Sequence, residues 1–224
     1  MVYDSKVVKV HHFGKNPVLL INEAPGQEEA YSGIPLYGAQ GGNVYRLLIR
    51  ANINWAKNWS LNHPDFSWPL KQRSHYSKLT NKIKRNLADK QDFLDLRRKY
   101  IACSNSFPQW PKSSIKGKNF IEPSSSDIIS SENLYRLRKE VKSTEPIILL
   151  VCGYSAYLAC AGVCINSPSK IVGKQLLGQV KNVINERMGH DFREIWYLGH
   201  TRRWSLNQSM IINCLTSLKT TLEW

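Results

Sequence analysis

Four short apolar runs constrain this chain more than any other feature: PVLLI (17–21), YIACS (100–104), IILLVCG (147–153) and EIWYLGH (194–200). Each is nearly continuous and bounded by turn or charged residues. A strand wetted on one face alternates apolar with polar, whereas a strand covered on both faces reads as an unbroken run. Helical patterns lie between the runs. GNVYRLLIRANI follows the first, SENLYRLRKEVKS precedes the third with Ser130 or Ser131 as cap, YSAYLACAGVC follows the third, and NQSMIINCLTSLKTTLEW closes the chain. Strands alternating with helices predict a three-layer α/β/α domain around a central, mainly parallel four-stranded sheet, with right-handed crossovers. A length of 224 residues suits one domain spanning 1–224.

Residues 55–99 interrupt that rhythm with Trp, His and many Lys and Arg before a helical DFLDLRRK. Two readings of this insertion stand side by side. Aromatics interleaved with cations supply the stacking faces and phosphate partners that a nucleic acid requires, and a helical subdomain would use the same Trp residues as core. PKSSIKGKNFIEPSSSD (111–127) reads as a mobile loop.

Charge narrows the partners. The chain carries 31 Lys+Arg against 17 Asp+Glu, a formal +14, which favours a polyanion through steering and counterion release. Nucleic acid is the leading candidate, ahead of an anionic membrane surface, and charge kept for solubility is the plain alternative. No run approaches the roughly 18 apolar residues of a membrane span, and the N-terminus has no secretory h-region. The expectation is a monomeric cytoplasmic protein of a prokaryotic cytosol or nucleoid, with no membrane partner. Five cysteines, an odd number, argue against a disulfide framework. Cys160 and Cys164 stand one helical turn apart without an adjacent histidine, so they read as small buried thiols rather than metal ligands.

In a parallel α/β sheet, ligands bind beyond the carboxyl ends of the strands. After the first run comes NEAPGQEEAYSGIPLYGAQGG (22–42), which gathers three glutamates into a Gly/Pro-rich loop of a basic chain. After the second comes NSFPQWP from Asn105, and after the fourth GHTRRWSLN, with His200, Arg202, Arg203 and Trp204. An acid, an amide, a histidine and two arginines are thereby aimed at one crevice.

These segments resemble the motifs of the uracil-DNA glycosylase superfamily. Glu23-Ala24-Pro25-Gly26, the downstream Glu29, and the frame of Gly33, Pro35, Gly38 and Gly41 are similar to the first motif of its iron–sulfur branch. NSFPQWP, IILLVCGYSAYLACAG and LGHTRRWSLN resemble the later motifs in the same order. The resemblance implies a monofunctional glycosylase that hydrolyses the N-glycosidic bond of a flipped-out uracil or related pyrimidine and leaves an abasic site, a hydrolase of base excision repair. It makes DNA, duplex or single-stranded, the expected partner. It implies His200, Glu29, Glu23 and Asn22 as catalytic residues, with Glu29 positioning the water and Asn22 a secondary candidate. Asn105, Leu36, Tyr37 and Ala24 would contact the base. Gly26, Gly41, Gly42, Arg202, Arg203, Trp204 and Leu206 would contact DNA, Trp204 or Leu206 as the wedge.

The chain departs from that pattern in four places. Its first cysteine is Cys103, so no iron–sulfur cluster, metal or other cofactor is expected. Asn22 replaces a glycine, Leu36 a base-stacking phenylalanine, and Thr201 the proline after the histidine. These departures bear on which base fits. Two further readings therefore stand: a glycosylase for a modified or bulky pyrimidine, such as those of foreign (phage) DNA, and a DNA-binding module without catalysis.

Overall fold

The computed structural model describes residues 2–69, 81–112, 123–163, 171–204 and 208–224. In chain order the elements are β1 (Val2–Val7), β2 (Val18–Asn22), α1 (Gln27–Ser32), α2 (Ala39–Arg50), α3 (Asn54–Asn62), α4 (Asn81–Tyr100), β3 (Ile101–Asn105) and β4 (Gln109–Lys112). Then come α5 (Ser125–Ile129), α6 (Ser131–Thr144), β5 (Ile148–Val151), α7 (Tyr154–Ala161), β6 (Lys174–Gln175), α8 (Gly178–Met188), β7 (Glu194–Tyr197) and α9 (Gln208–Leu222).

The four apolar runs form the four parallel strands, and the fold is mixed α/β. The sheet has five strands rather than four, in the order β3-β2-β5-β7-β6. The added strand is the two-residue β6, antiparallel to β7 at the edge. It carries no apolar run, which is why the sequence does not announce it. A separate antiparallel ribbon pairs β1 with β4.

Every residue of β2, β3 and β5 is buried, because successive side chains point to opposite faces and both faces are covered. Val18 and Leu20 pack with residues of α2, α4 and α9, while Leu19 and Ile21 pack with residues of α6, α7 and α8. Ser130 caps α6 by accepting the Asn133 N–H. Its hydroxyl takes one of the backbone donors that a helix start leaves unpaired.

The aromatics of the insertion go inward. Trp55, Trp59 and Trp68 are buried. The ring of Tyr45 on α2 lies 4.9 Å from Phe93 and 5.2 Å from Phe66, and Trp59 packs 5.2 Å from Phe93. Edge-to-face contacts at these distances are the favoured packing of aromatic pairs. The core reading therefore holds for these rings, and they offer no stacking face to a nucleic acid. Residues 70–80 of the insertion, 113–122 of the expected loop, and Cys164 lie outside the described residues. Among the described residues no helix is long and apolar enough to cross a membrane.

Candidate active site

Chain direction places the site. From β2 the chain moves to β3 on one side, then crosses to β5 on the other. In open α/β sheets such a reversal is where ligands bind, here at the carboxyl ends of β2 and β5. Glu23, the first residue after β2, is buried there. Its Oε1 accepts the Tyr154 N–H at 3.1 Å, and its Oε2 lies 2.8 Å from Nε2 of His200. Tyr154 is the first residue of α7, so the carboxylate also faces the positive end of a helix. Gly153 makes this approach possible. Its φ is +97°, and a Cβ there would collide with the Glu23 carboxylate. Three strand ends thus converge on one acid–imidazole pair, which is partly open to solvent only on the His200 side, where 27% of the side chain is exposed.

The neighbours of that pair are paired as well. Asn22 precedes Glu23 and Thr201 follows His200. The Thr201 hydroxyl lies 3.1 Å from Oδ1 of Asn22 and 2.8 Å from Oε1 of Gln40. The Asn22 amide donates to the same Gln40 oxygen at 2.9 Å. Asn43, one turn further along α2, donates to the Thr201 carbonyl at 3.0 Å. Asn22 and Thr201 are both fully buried.

Asn105 ends β3 in register with Asn22. It is buried, and neither atom of its amide has a partner. Buried amides in proteins are nearly always paired, and this one, at the carboxyl end of β3, keeps both a donor and an acceptor uncommitted. Ala24 is buried behind Glu23. A cavity of about 230 Å³ opens between this loop and the start of α2, lined by Gly26, Gln27, Glu28, Glu29, Gly38, Ala39, Gln40 and Asn43.

Glu29 has a different position from the one expected of it. It is buried, and its two oxygens accept the Gly26 N–H at 2.8 Å and the Leu36 N–H at 2.5 Å. Burial pushes its carboxyl up to about 7, against the opposing pull of those two N–H groups and of Arg97. Arg97, fully buried on α4, donates to the Pro35 carbonyl at 2.8 Å. With both oxygens accepting backbone N–H groups, Glu29 organises the loop around the cavity it lines.

Leu36 is also revised. It is fully buried, has φ +57° and belongs to the hydrophobic core, so it presents no surface to a base. Tyr37 is half-buried with its ring 3.5 Å beneath Nζ of the buried Lys90, a cation–π contact that ties α4 to the loop. Gly41 and Gly42 pack against Trp68, and a Cβ at Gly41 would strike the Leu36 carbonyl and the Trp68 ring. Their close approach is to the protein itself and not to DNA.

Trp204 was expected to enter the duplex. It is 1% exposed, lies in the core cluster, and donates its Nε1–H to the Gly199 carbonyl at 3.2 Å. It anchors the 3-10 turn Thr201–Arg203 from beneath. Trp204→Phe, which keeps most of the volume and removes the donor, should lower unfolding free energy by about 1–2 kcal/mol; urea titration checks this. Arg203 is exposed on that turn beside His200. The side chain of Arg202, and Leu206, lie outside the described residues. Among the described residues, no cluster of three or more His, Cys, Asp and Glu side chains is arranged to hold a metal.

Gln40, Asn43, Gly153 and the Tyr154 amide were not singled out from the sequence. Gln40 sits within the Gly-rich frame, but nothing in a single sequence marks it as a partner of Asn22. Comparison of the sequence with known families and with curated proteins finds no match.

Proposed function

We propose that the protein is a monofunctional DNA glycosylase of the uracil-DNA glycosylase type, with a three-layer α/β/α architecture. It hydrolyses the N-glycosidic bond of a flipped-out uracil or related pyrimidine. The observation that carries this reading is the Glu23–His200 contact at the sheet's switch point, with the unpartnered Asn105 amide at the next strand end. The order of the motifs in the sequence supports it, as does the +14 charge.

In this reading the C1′–N1 bond breaks with its electron pair staying on the base. Water supplies the hydroxyl to C1′, and its remaining proton passes to the base or solvent. Asn105 offers one donor and one acceptor to the edge of the pyrimidine. The His200 N–H, held by Glu23 in the free protein, donates to the base oxygen on which negative charge grows. The buried Glu23 carboxylate places negative charge beside a sugar that becomes cationic, where a low dielectric strengthens the attraction. Exposed Arg203 meets a phosphate.

One observation favours a substrate other than plain uracil. Leu36 is withdrawn into the core, which removes the stacking side chain expected at that position and favours a modified or bulky pyrimidine.

The test is direct. Labelled duplexes and single strands carrying uracil, other deaminated bases or hydroxymethylated cytosine are incubated with the protein, then treated with alkali. Breaks at the modified position are expected and identify the base. Binding with no break on any substrate would overturn the glycosylase reading in favour of a DNA-binding module.

A further inference from the structure

We propose that Thr201 is a positioning residue whose hydroxyl sets the His200–Glu23 distance. The inference rests on the reading that this pair does the chemistry. His200 and Glu23 come from segments 177 residues apart in the chain, and nothing in either segment alone fixes their separation. Across that seam the adjacent residues are bonded too: Thr201 to Asn22 at 3.1 Å, beside His200 to Glu23 at 2.8 Å. Gln40 closes the arrangement, with its Oε1 within hydrogen-bond distance of both Thr201 and Asn22.

The helix α2 therefore grips residue 201 twice, through Gln40 on the hydroxyl and Asn43 on the carbonyl. All of this is neutral hydrogen bonding, and the Thr201–Asn22 bond at its centre is buried, where geometry is strict and unscreened by water. The Thr201 hydroxyl is taken up by Asn22 and Gln40, so it is not a substrate contact. It acts through the turn that carries His200. Displacements on the order of 1 Å in such a frame are enough to change a rate by one to two orders of magnitude.

Two variants separate the hydroxyl from the shape. Thr201→Val keeps the branched side chain and removes the donor, while Thr201→Ser keeps the donor and loses a methyl. The first readout needs no substrate. In the free protein the His200 Nε2–H, held by Glu23, should give a protected imidazole N–H resonance in nitrogen-edited NMR. Thr201→Val should lose or broaden it, and Thr201→Ser should retain it. The second readout is base release: Thr201→Val should lower kcat about tenfold or more with little change in KM, and Thr201→Ser should restore it. Far-UV circular dichroism verifies that both variants are folded.

A Thr201→Val protein with an unchanged resonance overturns the proposal. So does loss of the resonance in both variants, which would make the side chain's bulk the cause. A wild-type protein inactive on every DNA would sink the glycosylase reading alone. The latch would then stand or fall on the resonance.

Discussion

His200→Ala should slow single-turnover base release by about 10²–10³-fold, the loss typical of removing one donor aimed at developing negative charge. Affinity for the same duplex should stay close to that of the wild type, because in the proposed reading the phosphate contacts fall to exposed cations such as Arg203. Glu23→Gln is the informative companion. The amide is nearly the same size and can still accept the Tyr154 N–H, but it carries no charge to hold His200 or to face a cationic sugar. It should lose a comparable factor, and the double variant should lose little more than either single, since the two act as a unit. The measurement is alkali-revealed strand cleavage with enzyme in excess, beside a binding titration at fixed salt. Rates unchanged in both single variants would remove the pair from the mechanism. Gly153 extends the same logic: a Cβ there collides with the Glu23 carboxylate, so Gly153→Ala should reproduce the Glu23 defect without touching an acidic residue.

The parallel strands were legible because burial on both faces writes itself as continuous apolar runs. PVLLI became Val18–Asn22 and IILLVCG became Ile148–Val151, each within a few residues. The crevice was legible for a related reason, since the carboxyl ends of such strands are where side chains can meet a ligand. What failed was the assignment of residues whose type is right for either of two environments. A tryptophan that stacks on a base and one that fills a core have the same neighbours in sequence. Trp204 follows two arginines, yet it faces inward. The Trp residues of the insertion stand among lysines, yet they surround Phe93. Lys90 is itself buried over Tyr37, so even the charge pattern misreported its surface.

The departures from the family pattern read differently once contacts are known. Asn22 and Thr201 stood out as mismatches, one replacing a glycine and the other a proline. They hydrogen-bond each other, so a proline at 201 would remove the hydroxyl that Asn22 needs, and a glycine at 22 would remove its acceptor. The two mismatches are one feature. Leu36 has no such partner change: it is withdrawn into the core at φ +57°, and the loop around it is held by Glu29.

That loop carries the largest stability effect. Glu29→Ala should lower unfolding free energy by about 2–4 kcal/mol, because a buried backbone N–H at Leu36 and a half-buried one at Gly26 lose their acceptors at once. Glu29→Gln retains one acceptor and turns an N–H₂ toward the second, so it should fall between wild type and alanine. The charge adds a pH signature. Burial holds the Glu29 carboxyl at about 7 against an ordinary 4.5, so between those values the folded protein keeps a proton that the unfolded chain has released. Its contribution is complete below about pH 4.5 and disappears as pH rises through 7. His11 acts in the opposite sense: burial lowers it from 6.5 to about 4, so its contribution grows with pH across that window. The wild-type profile mixes the two, and the difference between wild type and Glu29→Gln isolates the carboxyl. Urea midpoints at several pH values from 4.5 to 8 should show the wild-type advantage shrinking as pH rises. A difference that is flat, or that grows with pH, would mean Glu29 is ionised throughout, with its two N–H bonds outweighing burial.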